Sequence, residues 1–368
     1  SSDVCSSDLA NRDIDRYMFE TRLQPYLLSD KNVQDVHFIP SKRMPHFTLT
    51  YSGIEVDLNF SKTILPSLPK NEKEMKEALL DEKLSNIVEE NDGYSVRAIN
   101  GTRNADMILQ YIPQDCNELF TMIVRTIKLW SKKRGIYGFV YCFLNGISIE
   151  IMVARVIKEN YSLSAVRLLE QFFKMYAEWD WERDSIVLGQ QDDCPERKKE
   201  EMVHVITPAS PRANTLDNIT RSSLNLFKKE LRRGYDIVHT FSDEKPNDWD
   251  ILFRRRHALC AYPVFIQLRV KAETPEKLAS NVKGVEAPLG KLLRNLEELT
   301  EIKDVNVIPE QFPDKDDPSA CYLYVGMRTK RDVKVDVSQP LNTYLSTVTS
   351  NKELLVDAQI KKRSERSE

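Results

Sequence analysis

Two places in this sequence carry carboxylates that could grip metal. Asp13–Ile14–Asp15 is a D-x-D triplet, the form in which many nucleotidyl transferases present two carboxylates to magnesium. On a strand, side chains two residues apart point the same way, so both could reach one metal pair. Asp57, in GIEVDLNF, stands on the polar side of an alternating run. There it either reaches a metal or faces solvent. A further constellation lies in IKLWSKKRGIYGFVYCFLNGIS, residues 127–148. Lys128, with Arg125 and Lys132 near it, could clamp a triphosphate. Tyr137 could stack on a base, and Gly146 opens a helix whose N–H groups suit phosphate. The same pattern also reads as a solvated basic face beside a core tyrosine.

The elements that must hold these residues are legible in part. Phe47, Leu49 and Tyr51 alternate, Ser52–Gly53 turns, and Ile54, Val56, Leu58 and Phe60 alternate again, which predicts a β-hairpin. Glu55, Asp57 and Asn59 fall on the other face of its second strand. A helix is predicted from Asp13 to about Leu28, and residues 71–92 read as polar helix and loop. The stripe Leu119, Phe120, Ile123, Val124, Ile127 and Trp130 predicts a helix from Asn117 to Arg134, stopped by Gly135. Further helices are expected from Ser148 to about Glu159, across AVRLLEQFFKMYAEWDW, and from near Thr215. Beyond 248 the texture becomes strand, helix, strand, strand, the order of a small α+β domain, interrupted at Gly284 and Pro288. After about Gln339 no core pattern is evident.

The chain has 368 residues, is 41% hydrophobic and 30% charged, and carries a formal net charge of −3. The whole molecule therefore does not attract polyanions, and nucleic-acid contact must use local basic runs. FKKELRR (227–233) and FRRRH (253–257) are the candidates, or else they are ordinary solvated surface. Cys5, Cys116, Cys142, Cys194, Cys260 and Cys321 show no C-x-x-C spacing. That points to free core thiols in a reducing compartment and away from a zinc ribbon or disulfide scaffold. No apolar run approaches the roughly 20 residues of a membrane span. The terminal strings SSDVCSSDL and RSERSE read like translated sequencing-adapter DNA. The expectation is that residues 1–10 are an artefactual leader and that the chain is an N-terminally truncated fragment.

GIEVDLNFSKTILPSLP, VRAINGTRNADMIL and above all IKLWSKKRGIYGFVYCFLNGISIEIMVARV resemble the eukaryotic poly(A) polymerases. The likeness runs on through FFKMYAEWDW, VITPASPRANTLDNIT and VFIQLRVKAETPEKL, from about Asp15 to about Arg331. The resemblance implies an α/β + α + α/β multidomain chain. Its parts would be a partial nucleotidyltransferase domain at 11–70, a helical middle domain at 71–245, an RNA-recognition-like (ferredoxin-like) domain at 246–336 and a tail at 337–368. It implies transfer of AMP from ATP to RNA 3′ ends with Mg2+ (or Mn2+), in the nucleus, alongside cleavage and polyadenylation factors and away from membranes. The third metal-binding aspartate of the family falls on Asp57, the triphosphate lysine on Lys128 and the ATP-contacting tyrosine on Tyr137. Gly146 and Ile147 match its ATP-touching pair, and Asn100 an asparagine near the adenine.

The resemblance also settles how Asp13–Ile14–Asp15 is read. In the family a helix beginning Asp-Arg follows the metal pair, and it matches Asp15–Arg16 without a gap through to Asp57. The triplet is then a helix N-terminus, where acidic residues are common. With Asp57 as the one remaining metal carboxylate, the chain alone is expected to be inactive. Departures from the family are Phe139 where an asparagine is usual, and Cys142 and Asn145 where glycines are usual. Two other readings stay open: a non-catalytic RNA-binding or scaffold relative, and a uridylyl or CCA-type transferase. No aromatic ribonucleoprotein motif is evident, so RNA contact is expected to be led by the backbone and weakened by salt.

Overall fold

A computed structural model describes residues 4–10, 16–39, 46–64, 74, 77, 92–189, 194–330, 333–350 and 354–363. Asp13, Ile14 and Asp15, and most of the segment 71–92, lie outside these described residues. The chain divides into two compact units, Ser1–Tyr111 with Thr207–Arg212, and Ile112–Ile206 with Ala213–Glu368.

In the first unit, β1 (Val4–Ala10), α1 (Arg16–Ser29), β2 (Val33–Ile39), β3 (His46–Tyr51), β4 (Ile54–Lys62) and α2 (Gly93–Tyr111) follow in order. The sheet order is β1-β4-β3-β2, with β1 parallel to β4 and the other pairs antiparallel. The segment read from sequence as a leader without a fold signal thus supplies a strand, Val4–Ala10. The hairpin follows from its turn: Ser52 and Gly53 both have positive φ, 48° and 82°, the twist that two-residue hairpin turns require. Phe19 of α1 meets the Phe47 ring at 5.2 Å and the Phe60 ring at 5.0 Å. Phe47 and Leu49 are buried, whereas Tyr51 and Ile54 at the turn are exposed.

Helix α2 belongs to this unit rather than to the helical middle, so the unit runs to Tyr111 and not to residue 70. Asp92 caps the helix, accepting from Ser95 N at 3.1 Å and from the Ser95 hydroxyl at 2.7 Å. The Ser95 hydroxyl in turn accepts from Lys62 N of β4 at 2.8 Å. The strip 207–212 returns to the same helix. Ala209 N donates to Asn104 Oδ1 at 2.9 Å, and Arg103 Nη1 donates to Ser210 O at 2.6 Å.

The second unit opens with α3 (Asn117–Arg134), α4 (Gly146–Asn160), α5 (Ala165–Glu178) and α6 (Arg221–Val238). Gly135 ends α3 in the left-handed region at φ 66°, as its sequence predicts. Trp130 packs edge-on against Phe173 at 4.9 Å, and Trp181 against Phe227 at 5.3 Å. The helix expected to begin near Thr215 begins at Arg221, because Thr220 and Ser223 form a reciprocal cap. Thr215 is instead tied to Val205, its N–H donating to Val205 O at 2.8 Å.

The short helices α7 (Trp249–Phe253) and α8 (Ala258–Ala261) lead into β5 (Val264–Lys271), α9 (Pro275–Glu286), α10 (Leu289–Glu297), β6 (Ile302–Pro313) and β7 (Ala320–Thr329). The chain then continues through α11 (Ser338–Thr349) and β8 (Leu355–Lys362). The strands form one antiparallel sheet of order β6-β7-β5-β8. Pro288 separates α9 from α10, while Gly284 stays inside α9. The expected tail is a helix and an edge strand. Tyr344, Val348 and Leu354 enter the core beneath the sheet with Leu289, Leu292 and Leu293.

Candidate nucleotide-binding site

Asp57 is the fourth residue of β4, opposite Thr48 of β3. Because paired residues share a face, the Thr48 hydroxyl donates to Asp57 Oδ1 at 2.9 Å, and His46 Nε2 lies 3.9 Å from the same oxygen. The Asp57 side chain is 56% exposed. Among the described residues no three His, Cys, Asp or Glu side chains stand close enough together to hold a metal ion. One carboxylate, with one oxygen already accepting from a hydroxyl, does not fit a two-ion centre. Asn100 is on α2, and its Oδ1 accepts from Arg103 Nη1 at 2.5 Å. Arg103 is 3% exposed, and burial holds its guanidinium below the usual range. The carbonyl end of Asn100 therefore serves the buried cation, which leaves the amide nitrogen as the end suited to a base.

In the second unit, Lys128 sits two turns before the end of α3. Its Nζ lies 3.1 Å from Glu150 Oε1, in the second turn of α4. The basic cluster predicted from sequence is thus divided: Lys128 pairs with a carboxylate, and Lys132 Nζ lies 4.9 Å from the centre of the Tyr137 ring. Tyr137 begins the loop between α3 and α4 and bridges to Leu144. Gly138, at φ 118°, lets the loop fold on itself, since a Cβ there would stand 2.6 Å from the Tyr141 ring. Gly138 N donates to Leu144 O at 2.7 Å, and Phe143 N donates to Gly138 O at 3.2 Å.

The start of α4 is capped by Asn145, whose Oδ1 accepts from Ser148 N at 2.9 Å. The Ser148 hydroxyl accepts from Asn145 N at 3.1 Å. One helix-end donor is therefore spent on the cap, and Gly146 and Ile147 are the first two helical residues. Phe139, which replaces the usual asparagine, uses its carbonyl to accept from Asn218 Nδ2. Cys142, in place of a glycine, takes a left-handed conformation at φ 62°. It is fully buried, and burial pushes its thiol up to about 12, so it is inert.

The structure brings Lys128 to the first turns of α4, and Tyr137 to the loop that leads there: a cation, a helix N-terminus and an aromatic ring. That set suits a phosphorylated base. Sequence reasoning missed Glu150, the acid within the apolar first half of its helix, and the Asn-x-x-Ser cap. It also missed Thr48 and His46 beside Asp57. The basic runs are largely engaged. Arg233 Nη1 donates to Leu252 O at 3.2 Å, Arg255 pairs with Glu310 at 2.8 Å, and the Arg256 guanidinium lies 5.7 Å from the Tyr262 ring centre.

Residues 2–112 match the Poly(A) polymerase nucleotidyltransferase domain, and residues 119–255 the Poly(A) polymerase central domain. Over 365 residues the sequence is 48% identical to a poly(A) polymerase of Entamoeba histolytica, covering 99% of this chain and 68% of that protein. The chain belongs to the poly(A) polymerase family. It is thereby a polynucleotide adenylyltransferase chain with a nucleotidyltransferase-type fold and the family's central domain. Nuclear poly(A) polymerase 1 of Arabidopsis thaliana is 27% identical across 90% of this chain, and the Dictyostelium discoideum poly(A) polymerase 28% across 84%. The chain spans 47% and 38% of those two proteins. A crystal structure of the Cid1 poly(U) polymerase superposes on 68% of this chain and 80% of its own at 12% identity and a TM-score of 0.43, too remote a likeness to carry an argument.

Proposed function

We propose that this family member serves template-independent transfer of AMP from ATP to RNA 3′ ends, the chemistry of messenger polyadenylation. The observation that carries the reading is the 48% identity, over nearly the whole chain, to the Entamoeba poly(A) polymerase. In this reading Lys128, Gly146 and Ile147 take the triphosphate, Tyr137 and Asn100 the adenosine, and Asp57 is one of the carboxylates for Mg2+ or Mn2+. Among the described residues no metal centre is complete, so in this reading the chain does not turn over by itself. Incubation with radiolabelled ATP, magnesium and an oligo(A) primer tests this. No extension is expected, and clear tail synthesis would refute it. Measuring the affinity of the same chain for the four nucleoside triphosphates separates an adenylyl from a uridylyl or CCA-type enzyme.

The β5–β8 segment adds the RNA-recognition-like (ferredoxin-like) domain, a reading supported by its βαββαβ order and by the spatial order of its strands. On its open face Tyr324 accepts from Gln267 Nε2 at 2.8 Å, and Tyr322 donates to Asp314 at 3.0 Å. Arg269 is held by Asp314 at 2.9 Å and Asp317 at 3.2 Å. Tyrosines and arginine engaged in this way favour backbone-led RNA contact over base stacking. A nuclear location and association with cleavage and polyadenylation factors complete the proposal.

A further inference from the structure

The loop that carries Tyr137 holds one short turn of 3-10 helix, Phe139–Tyr141, and a few internal hydrogen bonds. From outside it is fixed by Asn218, which donates to Phe139 O, and by the sheet domain further along the chain. The Tyr141 hydroxyl donates to Glu286 Oε1 at 2.7 Å, at the last residue of α9. The same oxygen accepts from Gln311 Nε2 of β6 at 3.1 Å. Glu286 is 5% exposed. One residue on, Cys142 is buried in the apolar cluster of Leu289, Leu292 and Leu293. Gly290 makes room for it: a Cβ there would stand 3.2 Å from Cys142 Sγ. A loop with two adjacent residues so embedded takes its conformation from α9 and α10 as much as from its own turns.

We propose that Glu286 is a positioning residue for nucleotide binding: by holding the Tyr141 hydroxyl it keeps residues 137–145 in the form that presents Tyr137 and the start of α4. The inference rests on the reading that Tyr137 and Gly146 meet ATP. A buried carboxylate is an unusual choice for a simple contact, since removing it from water is costly unless it is bonded or neutral. Burial does push the Glu286 carboxyl above its ordinary range. Oε1 accepts both bonds, and a carboxamide offers the same accepting oxygen, so glutamine should substitute for it and alanine should not.

Hydrogen–deuterium exchange on the whole chain tests the latch through the amides of Gly138, Cys142 and Phe143, which are bonded inside the loop. We expect Glu286→Ala and Tyr141→Phe to speed their exchange about tenfold while interior amides of α4 are unchanged. Glu286→Gln should stay within about threefold of the unsubstituted chain. Unchanged loop exchange in Tyr141→Phe overturns the proposal. An equal rise in α4 overturns it too, because the pair would then be a general stability contact. Binding of a fluorescent ATP analogue should weaken about tenfold in Glu286→Ala and recover in Glu286→Gln. If Lys128→Ala weakens the analogue and Glu286→Ala does not, the positioning role fails. If Lys128→Ala has no effect, the nucleotide reading fails, and the exchange data still decide the latch.

Discussion

A lysine that is to hold a triphosphate must first release whatever holds it, and Lys128 is held by Glu150 at 3.1 Å. The two charges share one small region, so they compete with the ligand directly. Glu150→Gln should therefore tighten ATP binding by about threefold, and Lys128→Ala should weaken it about tenfold, effects on the order of 1 kcal/mol. Titration calorimetry with ATP on the two variants checks both signs. His204 offers a different reading at the same scale. Its ring is 2% exposed, Nδ1 lies 2.7 Å from the Ser185 hydroxyl, and burial followed by the Arg197 charge holds its pKa below the usual value. The unfolded chain then takes up the proton first, near the ordinary histidine value of about 6.5. Stability from this residue is present above that pH and is lost as pH falls toward the lowered folded value. Urea unfolding from pH 7.5 down to about 5.5 should show the decline, and His204→Gln should flatten it. The residue types of the site were legible in the sequence because lysine, tyrosine and glycine carry their chemistry in their names. Their partners were not: Glu150, Thr48 and Glu286 lie 22, 9 and 145 positions from the groups they bond.

At the level of elements, the loop between α3 and α4 depends on two local devices. Asn145 caps α4 through Ser148, so Asn145→Ala should cost about 1 kcal/mol and fray the first turn. Gly138 holds φ 118° with the Tyr141 ring against its missing side chain, so Gly138→Ala should cost about 1–3 kcal/mol. Chemical denaturation ranks the two, and the second should be the larger. The hairpin and α3 were readable because period and stop signal agree: alternation with a Ser-Gly turn in one, an apolar stripe closed by Gly135 in the other. Helix α2 was not. Its buried positions include Ser95, Arg103 and Asn104, whose partners arrive through tertiary structure. Helix α11 hides its period among Ser, Thr and Asn, and β8 is an edge strand with charged and polar residues, the composition expected where a sheet must not recruit another chain.

At the scale of the whole molecule, sequence patterning foresaw strand, helix, strand and strand beyond residue 248, and stopped one helix and one strand short of the βαββαβ order. The four-stranded sheet is complete only with Leu355–Lys362 beside β5. The core beneath it takes Tyr344 and Val348 from a stretch whose periodicity is weak. Assigning Val4–Ala10 a strand likewise required knowing that β4 had an edge to fill. Contacts between distant segments, more than local pattern, set the boundaries.

The strip 207–212 belongs by its contacts to the unit that the chain has already left at Tyr111. A piece cut at residue 111 would keep Arg103 while discarding the Ser210 carbonyl that accepts its hydrogen bond, and keep Asn104 without the Ala209 amide. An interior cation stripped of an acceptor costs about 2 kcal/mol or more. That piece should melt well below one grafted with the six missing residues, a difference calorimetry would register. The first unit is thus discontinuous along the chain: its last helix is completed by residues that arrive nearly a hundred positions later, and no single cut can release that unit whole.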